Sequence, residues 1–273
     1  MITKKGIVLV VSILTSLILS MAFQDVWAGP NIVLNPNRAQ RNIGGKIWMH
    51  IMLDSINGSP LLSTGIKISF NPSYLQVIDA QKYVAGKWEV WAMKDPTSGT
   101  TYTDPPIQVD NTNGTVTIIG GKLKPNPVIG NNILIGFIVF RCIAGSGGHV
   151  TKTPITVGLA HPTPYNNFVR EDGTVDDATM NINTPQQLAT ICIIDSSKGV
   201  PACEGDLNAD NQVFGPDYSI FNGSWLKWWY QAGYNPGADF NADGQVFGPD
   251  YSIFNGDWLR GRPGQIACPP CWP

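Results

Sequence analysis

Charge is scarce in this 273-residue chain: Asp, Glu, Lys and Arg make up 14% of it, and its 18 basic residues form no run. Without a basic stripe there is no electrostatic footprint for nucleic acid. Histidine is scarcer, with only His50, His149 and His161, scattered along the chain. No HExxH or GxSxG occurs, and Gly145-Ser146-Gly147-Gly148 lacks the Lys-Ser/Thr of a phosphate loop, so it reads as a hairpin tip. Asp172, Asp176 and Asp177 sit in a polar turn and read as solvated loop, not an acid–base pair. No catalysis is assigned. Cys268-Pro-Pro-Cys271 has no second CxxC, no nearby His and no following helix, which argues against a zinc or redox motif. Between Gly29 and Asp195 no amphipathic helical period of any length interrupts the chain, which leaves strands.

What is present begins with a leader. Lys4 and Lys5 precede an apolar run from Ile7 to Leu19, and small residues stand at the −3 and −1 positions of a cut after Ala28. Residues 1–28 therefore read as a secretory signal peptide, and the mature chain is expected outside the cell with no membrane attachment. The apolar stretch is short for a permanent anchor, and no second one follows.

Near the C-terminus, Gly205 to Leu226 recurs 33 residues later as Ala238 to Leu259. Each copy sets oxygen-bearing side chains at positions 1, 3, 5, 7 and 12 of a loop. These are Asp206, Asn208, Asp210, Gln212 and Asp217, then Asp239, Asn241, Asp243, Gln245 and Asp250. That spacing wraps ligands around one calcium ion, so two ions are expected; position 7 needs only its backbone carbonyl. Position 6 turns sharply, which suits Gly244 and is tolerated by Asn211. From Cys203 onward the chain has 3 basic and 8 acidic residues, against 13 and 11 between Gly29 and Ala202. Six of those eight acids are proposed ligands, so two calcium ions bring the segment near neutrality.

The segments leading into the loops carry Gly and Pro and cannot be helical, whereas Pro216 and Pro249 suit the first turn of an exit helix. Tyr218, Phe221 and Trp225, and likewise Tyr251, Phe254 and Trp258, then recur at helical spacing and read as a small core. Two loop-plus-helix units in tandem, with Asp at position 12, resemble the dockerin module of cellulosome-type assemblies over about a quarter of the chain, Cys203 to Cys271. The resemblance implies a cohesin-bearing partner. Val213 to Leu226 and Val246 to Leu259 differ at one position of fourteen, so both helices offer a nearly common surface. The expected contacts are Ser219, Asn222 and Ser224, with Ser252, Asn255 and Asp257.

Five cysteines in a secreted chain suggest bridges with one thiol left over. Cys203 with Cys268 or Cys271 would clasp the paired loops, and Cys142 with Cys192 would join two strands, buried free thiols being the alternative for that second pair.

From Gly29 to Asp195, short alternating apolar runs such as Ile47, Met49, Ile51, Leu53 and Ile66, Ile68, Phe70 are broken by turn clusters every 8 to 15 residues. This is the pattern of an antiparallel β-sandwich, here of eight or nine strands. His50, facing away from the Ile47 set, is expected on an exposed face. Gly65 to Ile78 and Ile133 to Phe140 resemble the strand–turn–strand and hairpin strands of cohesin domains, jelly-roll sandwiches that hold dockerins. The rival is a carbohydrate-binding module of related fold, binding polysaccharide through Tyr83, Trp88, Trp91 and Tyr102. The organisation read from the sequence is a signal peptide (1–28), an all-β jelly-roll-like, cohesin-like sandwich (29–196), a linker (197–202) and a small α-helical, dockerin-like module with paired calcium loops (203–273). As a whole it reads as a secreted, non-catalytic adaptor for extracellular polysaccharide-degrading assemblies, its sandwich receiving a dockerin-bearing protein or a polysaccharide.

Overall fold

The computed structural model describes residues 31–54, 56–82, 92–94, 101–103, 107–121, 128–130, 133–160, 167–175 and 186–273. The signal segment, His161, Asp176, Asp177 and the aromatic candidates Tyr83, Trp88 and Trp91 lie outside the described residues, as does the side chain of Tyr102.

Among the described residues the strands are, in chain order, β1 (Asn31–Asn35), β2 (Arg38–Asn42), β3 (Lys46–Asp54), β4 (Ile56–Leu61), β5 (Ser63–Ser69), β6 (Leu75–Lys82) and β7 (Ala92–Lys94). They continue with β8 (Thr101–Thr103), β9 (Gln108–Asp110), β10 (Thr115–Gly121), β11 (Val128–Gly130), β12 (Ile133–Cys142), β13 (Val150–Leu159) and β14 (Gln186–Ile194). Fourteen strands are described where eight or nine were expected; β7, β8, β9 and β11 are only three residues long, too short for a periodic pattern, and without them ten remain. One sheet runs β1-β3-β12-β6 and the other β2-β14-β13-β5-β10-β9; β4 pairs with β11 and β7 with β8. Every pairing is antiparallel except β2 with β14. The chain is thus an all-β sandwich followed by a small helical segment.

Alternation fills the space between the sheets. Ile47, Met49, Ile51 and Leu53 of β3 meet Ile66, Ile68, Val116, Ile118, Ile155 and Val157 from the opposite sheet, all essentially inaccessible. In β12 the register shifts between Leu134 and Gly136, and the bulge changes which parity faces inward. Ile133 before it, the bulged Ile135 itself, and Ile138 and Phe140 after it all enter this core.

The other face of β3 and β12 carries Trp48, His50, Phe137 and Val139, and it is not exposed. His50 is 5% accessible, which corrects the expectation of an exposed histidine. Residues 203–273 cover this face: Trp48, Phe137 and Val139 belong to one cluster with Val213, Phe221, Tyr234, Phe240, Val246 and Phe254. Trp48 stacks on Phe137 at 4.1 Å between ring centroids, and Trp229 closes on both at 6.1 and 5.0 Å.

β2 grips the start of the same segment. Asn42 Oδ1 accepts from the Ala202 backbone N–H at 3.0 Å and Gln40 Oε1 from that of Cys203 at 3.1 Å. The disulfides are Cys203–Cys268, within the segment, and Cys192–Cys271, which ties β14 to the tail. The expected Cys142–Cys192 bridge is absent, and Cys142 is a buried free thiol. Cys142 faces the core between the sheets while Cys192 faces outward against Ile194, Ala202 and Trp272, so the two strand positions point apart.

Candidate functional site

Each repeat unit is a loop running into a short helix, α1 (Gly215–Gly223) or α2 (Gly248–Asp257), with proline in the first turn as expected. No α-helix leads into either loop; the second is preceded by one 3-10 turn, Pro236–Ala238. The units lock together reciprocally. Just after α1, Leu226 N–H donates to Val246 O of the second loop at 2.9 Å; just after α2, Leu259 N–H donates to Val213 O of the first at 2.8 Å. The return bonds run from Val246 N–H to Lys227 O and from Val213 N–H to Arg260 O, both 3.0 Å. Phe221 and Phe254, one from each unit, stack with ring centroids 5.0 Å apart.

The ten predicted ligand positions fall in two loops with one shared hydrogen-bond pattern. Asp206 Oδ1 and Oδ2 accept from the backbone of Asp210 and Asn211, both at 3.0 Å; Asp239 does the same with Asp243 and Gly244, at 3.1 and 2.8 Å. Asp210 accepts from Gln212 N–H and the Asn208 amide, as Asp243 does from Gln245 and Asn241, each between 2.9 and 3.0 Å. The position-12 carboxylates serve two elements at once. Asp217 Oδ1 accepts from Leu207 and Asn208 at 2.8 and 3.1 Å, while its Oδ2 caps α1 through Phe214 N–H at 3.1 Å. Asp250 makes the matching contacts to Phe240, Asn241 and Phe247.

Neither loop contains a lysine or arginine, and four carboxylates are buried: Asp206 at 8%, Asp217 and Asp239 at 0% and Asp250 at 1% accessibility. Burial disfavours their charged form, pushing Asp206 up to about 7 and Asp239 up to about 6, and raising Asp217 and Asp250 against the pull of their backbone donors. Among the described residues no group of three His, Cys, Asp or Glu side chains stands ready-made to hold a metal ion. Each shell would have to be completed by amide and backbone oxygens, namely Asn208 and Gln212 or Asn241 and Gln245. An all-oxygen donor set of this charge suits a hard cation.

The predicted contact surface divides. Ser219, Asn222, Ser252 and Asn255 are exposed on the helices, with Ser219 and Ser252 bonding back to Gly215 O and Gly248 O. Ser224 and Asp257 are buried and face inward, which corrects their assignment as contacts. Ser224 Oγ accepts from Asn235 N–H at 2.7 Å; Asp257 accepts from Gly205 N–H at 3.1 Å and pairs with Arg260 at 2.6 Å. The one difference in fourteen thus lies at the joints where each helix fastens to the chain entering the other loop. The aromatics divide too: Phe221 and Phe254 are core, whereas Tyr218, Tyr251 and Trp258 are 45%, 46% and 39% accessible. Each tyrosine leans on the other unit's tryptophan, Tyr218 on Trp258 at 6.2 Å and Tyr251 on Trp225 at 6.0 Å.

Sequence reasoning missed two supporting residues. Gln40 of β2 donates to Asp206 Oδ2 at 3.3 Å, and Tyr234, whose ring lies 5.2 Å from His50, donates its hydroxyl to Asp239 Oδ2 at 2.6 Å. Nothing in the local pattern marks Gln40; Tyr234, five residues before Asp239 in an otherwise Gly/Pro-rich segment, stands out only by its ring.

No family model matches the chain, and no curated protein does either. Among solved structures its neighbours are cohesin modules. A cohesin from Clostridium acetobutylicum, solved in solution, is 14% identical over 62% of this chain and 92% of its own, with a TM-score of 0.38. A chain of a type I cohesin–dockerin complex from Clostridium thermocellum is 10% identical over 61% and 98%, also at 0.38. The cohesin module of a family 33 glycoside hydrolase from Clostridium perfringens is 12% identical over 61% and 97%, at 0.35. Likeness of this order assigns no activity or partner.

Proposed function

We propose that this protein is a secreted, non-catalytic adaptor whose C-terminal dockerin-like module binds two calcium ions and docks onto a cohesin-bearing protein, in extracellular polysaccharide-degrading assemblies. The observation that carries this reading is the disposition of the two units. They share one hydrogen-bonded loop pattern, pack back to back, turn one side onto the sandwich, and leave the outer faces of α1 and α2 exposed with matching Ser, Asn and Tyr side chains. Calcium would be held by the five oxygen-bearing positions of each loop, fixing the starts of both helices; it supplies charge neutralisation and rigidity, not chemistry.

The sandwich then takes a different part from a free receptor. The outer side of its β3 and β12 is already covered by the chain's own module, so in this reading it is the mount, and a dockerin or polysaccharide ligand of the sandwich would have to use another surface, such as the exposed side of β6 with Gln76 and Ile78. The test is calorimetric binding of the full chain to a panel of purified cohesin modules with calcium and with chelator. Calcium-dependent binding to at least one is expected. Changing Ser219 and Asn222 to alanine, or Ser252 and Asn255, should weaken it little, and all four together should abolish it. Absence of binding across the panel in calcium would overturn the assignment.

A further inference from the structure

The two loops agree at ten of twelve positions, yet the fold places them in different surroundings. The second loop is the more enclosed on the side facing the sandwich, while Asp243 is exposed in it as Asp210 is in the first. Asp239 is inaccessible and its Oδ2 is fixed by the Tyr234 hydroxyl at 2.6 Å. Position 6 is Gly244 at φ +85°, where a Cβ would meet Trp229 at 3.1 Å and the Trp48 ring at 3.2 Å; the sandwich itself walls the loop. Positions 4 and 6, Ala242 and Gly244, are both buried.

The first loop is open. The residue equivalent to Tyr234 is Pro201, which has no hydroxyl, and the substitute donor Gln40 reaches Asp206 only at 3.3 Å. Asp206 and Asn208 line a solvent-reaching cavity of about 300 Å³ between β2 and the module, with Arg38 and Glu204 also on its wall. Position 6 is Asn211 at φ +64°, a left-handed conformation that costs a side-chain-bearing residue more than glycine. Its amide is held by the tail, donating to Trp272 O and accepting from Trp272 N–H at 3.1 and 3.2 Å.

We infer that the loops hold calcium unequally: the second is a tight, slowly exchanging site backed by Tyr234, Trp48 and Trp229, and the first is a weaker site that exchanges through the Gln40 cavity. Tyr234 and Gln40 act as positioning residues, each aiming a position-1 carboxylate. This rests on the calcium reading above. It makes the first loop the one through which ambient calcium is sensed, while the second keeps the module seated on the sheet.

The experiment is a calcium titration of the full-length mature chain by calorimetry, with stopped-flow release into a fluorescent chelator. Two steps at least tenfold apart in affinity, and two release phases, are expected. Asp210→Ala should remove the weaker step and Asp243→Ala the tighter one. Tyr234→Phe should weaken the tight step, Asn211→Gly should strengthen the weak one, and both should narrow the gap. Two equal steps with one release phase in the unaltered chain, or loss of the tight step in Asp210→Ala, would overturn the inequality while leaving calcium binding intact. No calcium heat in any form would overturn both.

Discussion

Acidification offers a direct probe of the packed face, because His50 sits in it neutral. Its Nε2 is buried without a hydrogen-bond partner, and burial pulls its pKa from the ordinary 6.5 down to about 4. A protonated imidazolium there would lose its hydration with nothing in exchange. The folded pKa lies below the unfolded one, so the unfolded chain binds the proton first. The stabilising contribution is full above pH 6.5, falls as pH drops through 6.5, and is exhausted near 4. With one pKa unit worth about 1.4 kcal/mol, the full span is about 3 kcal/mol, of which about 2 is lost between pH 7.5 and pH 5. Asp206, pushed up to about 7, and Asp239, pushed up to about 6, titrate in the same range, so the imidazole must be read as a difference between two proteins. Urea unfolding of the wild type and of His50→Leu, both in saturating calcium, isolates the imidazole as a difference. The wild type should lose about 2 kcal/mol more than the variant between pH 7.5 and 5. Parallel losses in the two proteins would refute the account of His50 as a neutral residue enforced by the module.

Other outcomes follow from the same contacts. Chelator should lower the thermal transition of the C-terminal module and expose Trp48 and Trp229, seen as a red shift in tryptophan emission, while Asp217→Ala and Asp250→Ala should each remove one calcium equivalent in calorimetry. Opening the Cys203–Cys268 bridge, which spans 65 residues, should cost about 4 kcal/mol on the chain-entropy estimate, read by denaturation of the double serine variant. Cys142, whose thiol burial pushes up to about 12, should resist alkylation in the native protein and be the sole cysteine labelled after unfolding without reductant; labelling of any other would refute the pairing. Phe221→Ala, removing a ring stacked on Phe254 and flanked by Phe240, should cost about 3–5 kcal/mol, measured by urea unfolding.

What the sequence disclosed was whatever repeats or alternates locally. The paired loop-and-helix units were legible because the sequence repeats at an offset of 33 residues, and Ile47, Met49, Ile51 and Leu53 because a strand with a buried side must alternate. The covering of the opposite side was not, since Trp48 and His50 meet residues more than 180 positions away and nothing within β3 names that partner. One local hint existed: Ile133 to Phe140 is apolar almost without interruption, as strands buried on both faces are. The bridge from Cys192 to Cys271 was hidden for a related reason. Strand parity decides which way a cysteine faces, but only the fold decides what arrives there. Ser224 and Asp257 stand among exposed helix residues in sequence and are drawn inward because Asn235 and Gly205 need acceptors at those points.

The tie between β14 and the tail also sets how the molecule carries tension. A partner pulling on the helices does not strain residues 197–202 alone, because Cys192–Cys271 forms a second, covalent route into the sandwich. That route enters at a strand hydrogen-bonded on both flanks, to β2 on one side and β13 on the other, and not at a free edge. Load applied to the module is thereby shared across three strands of the six-stranded sheet, and the short segment joining the two parts is relieved of it.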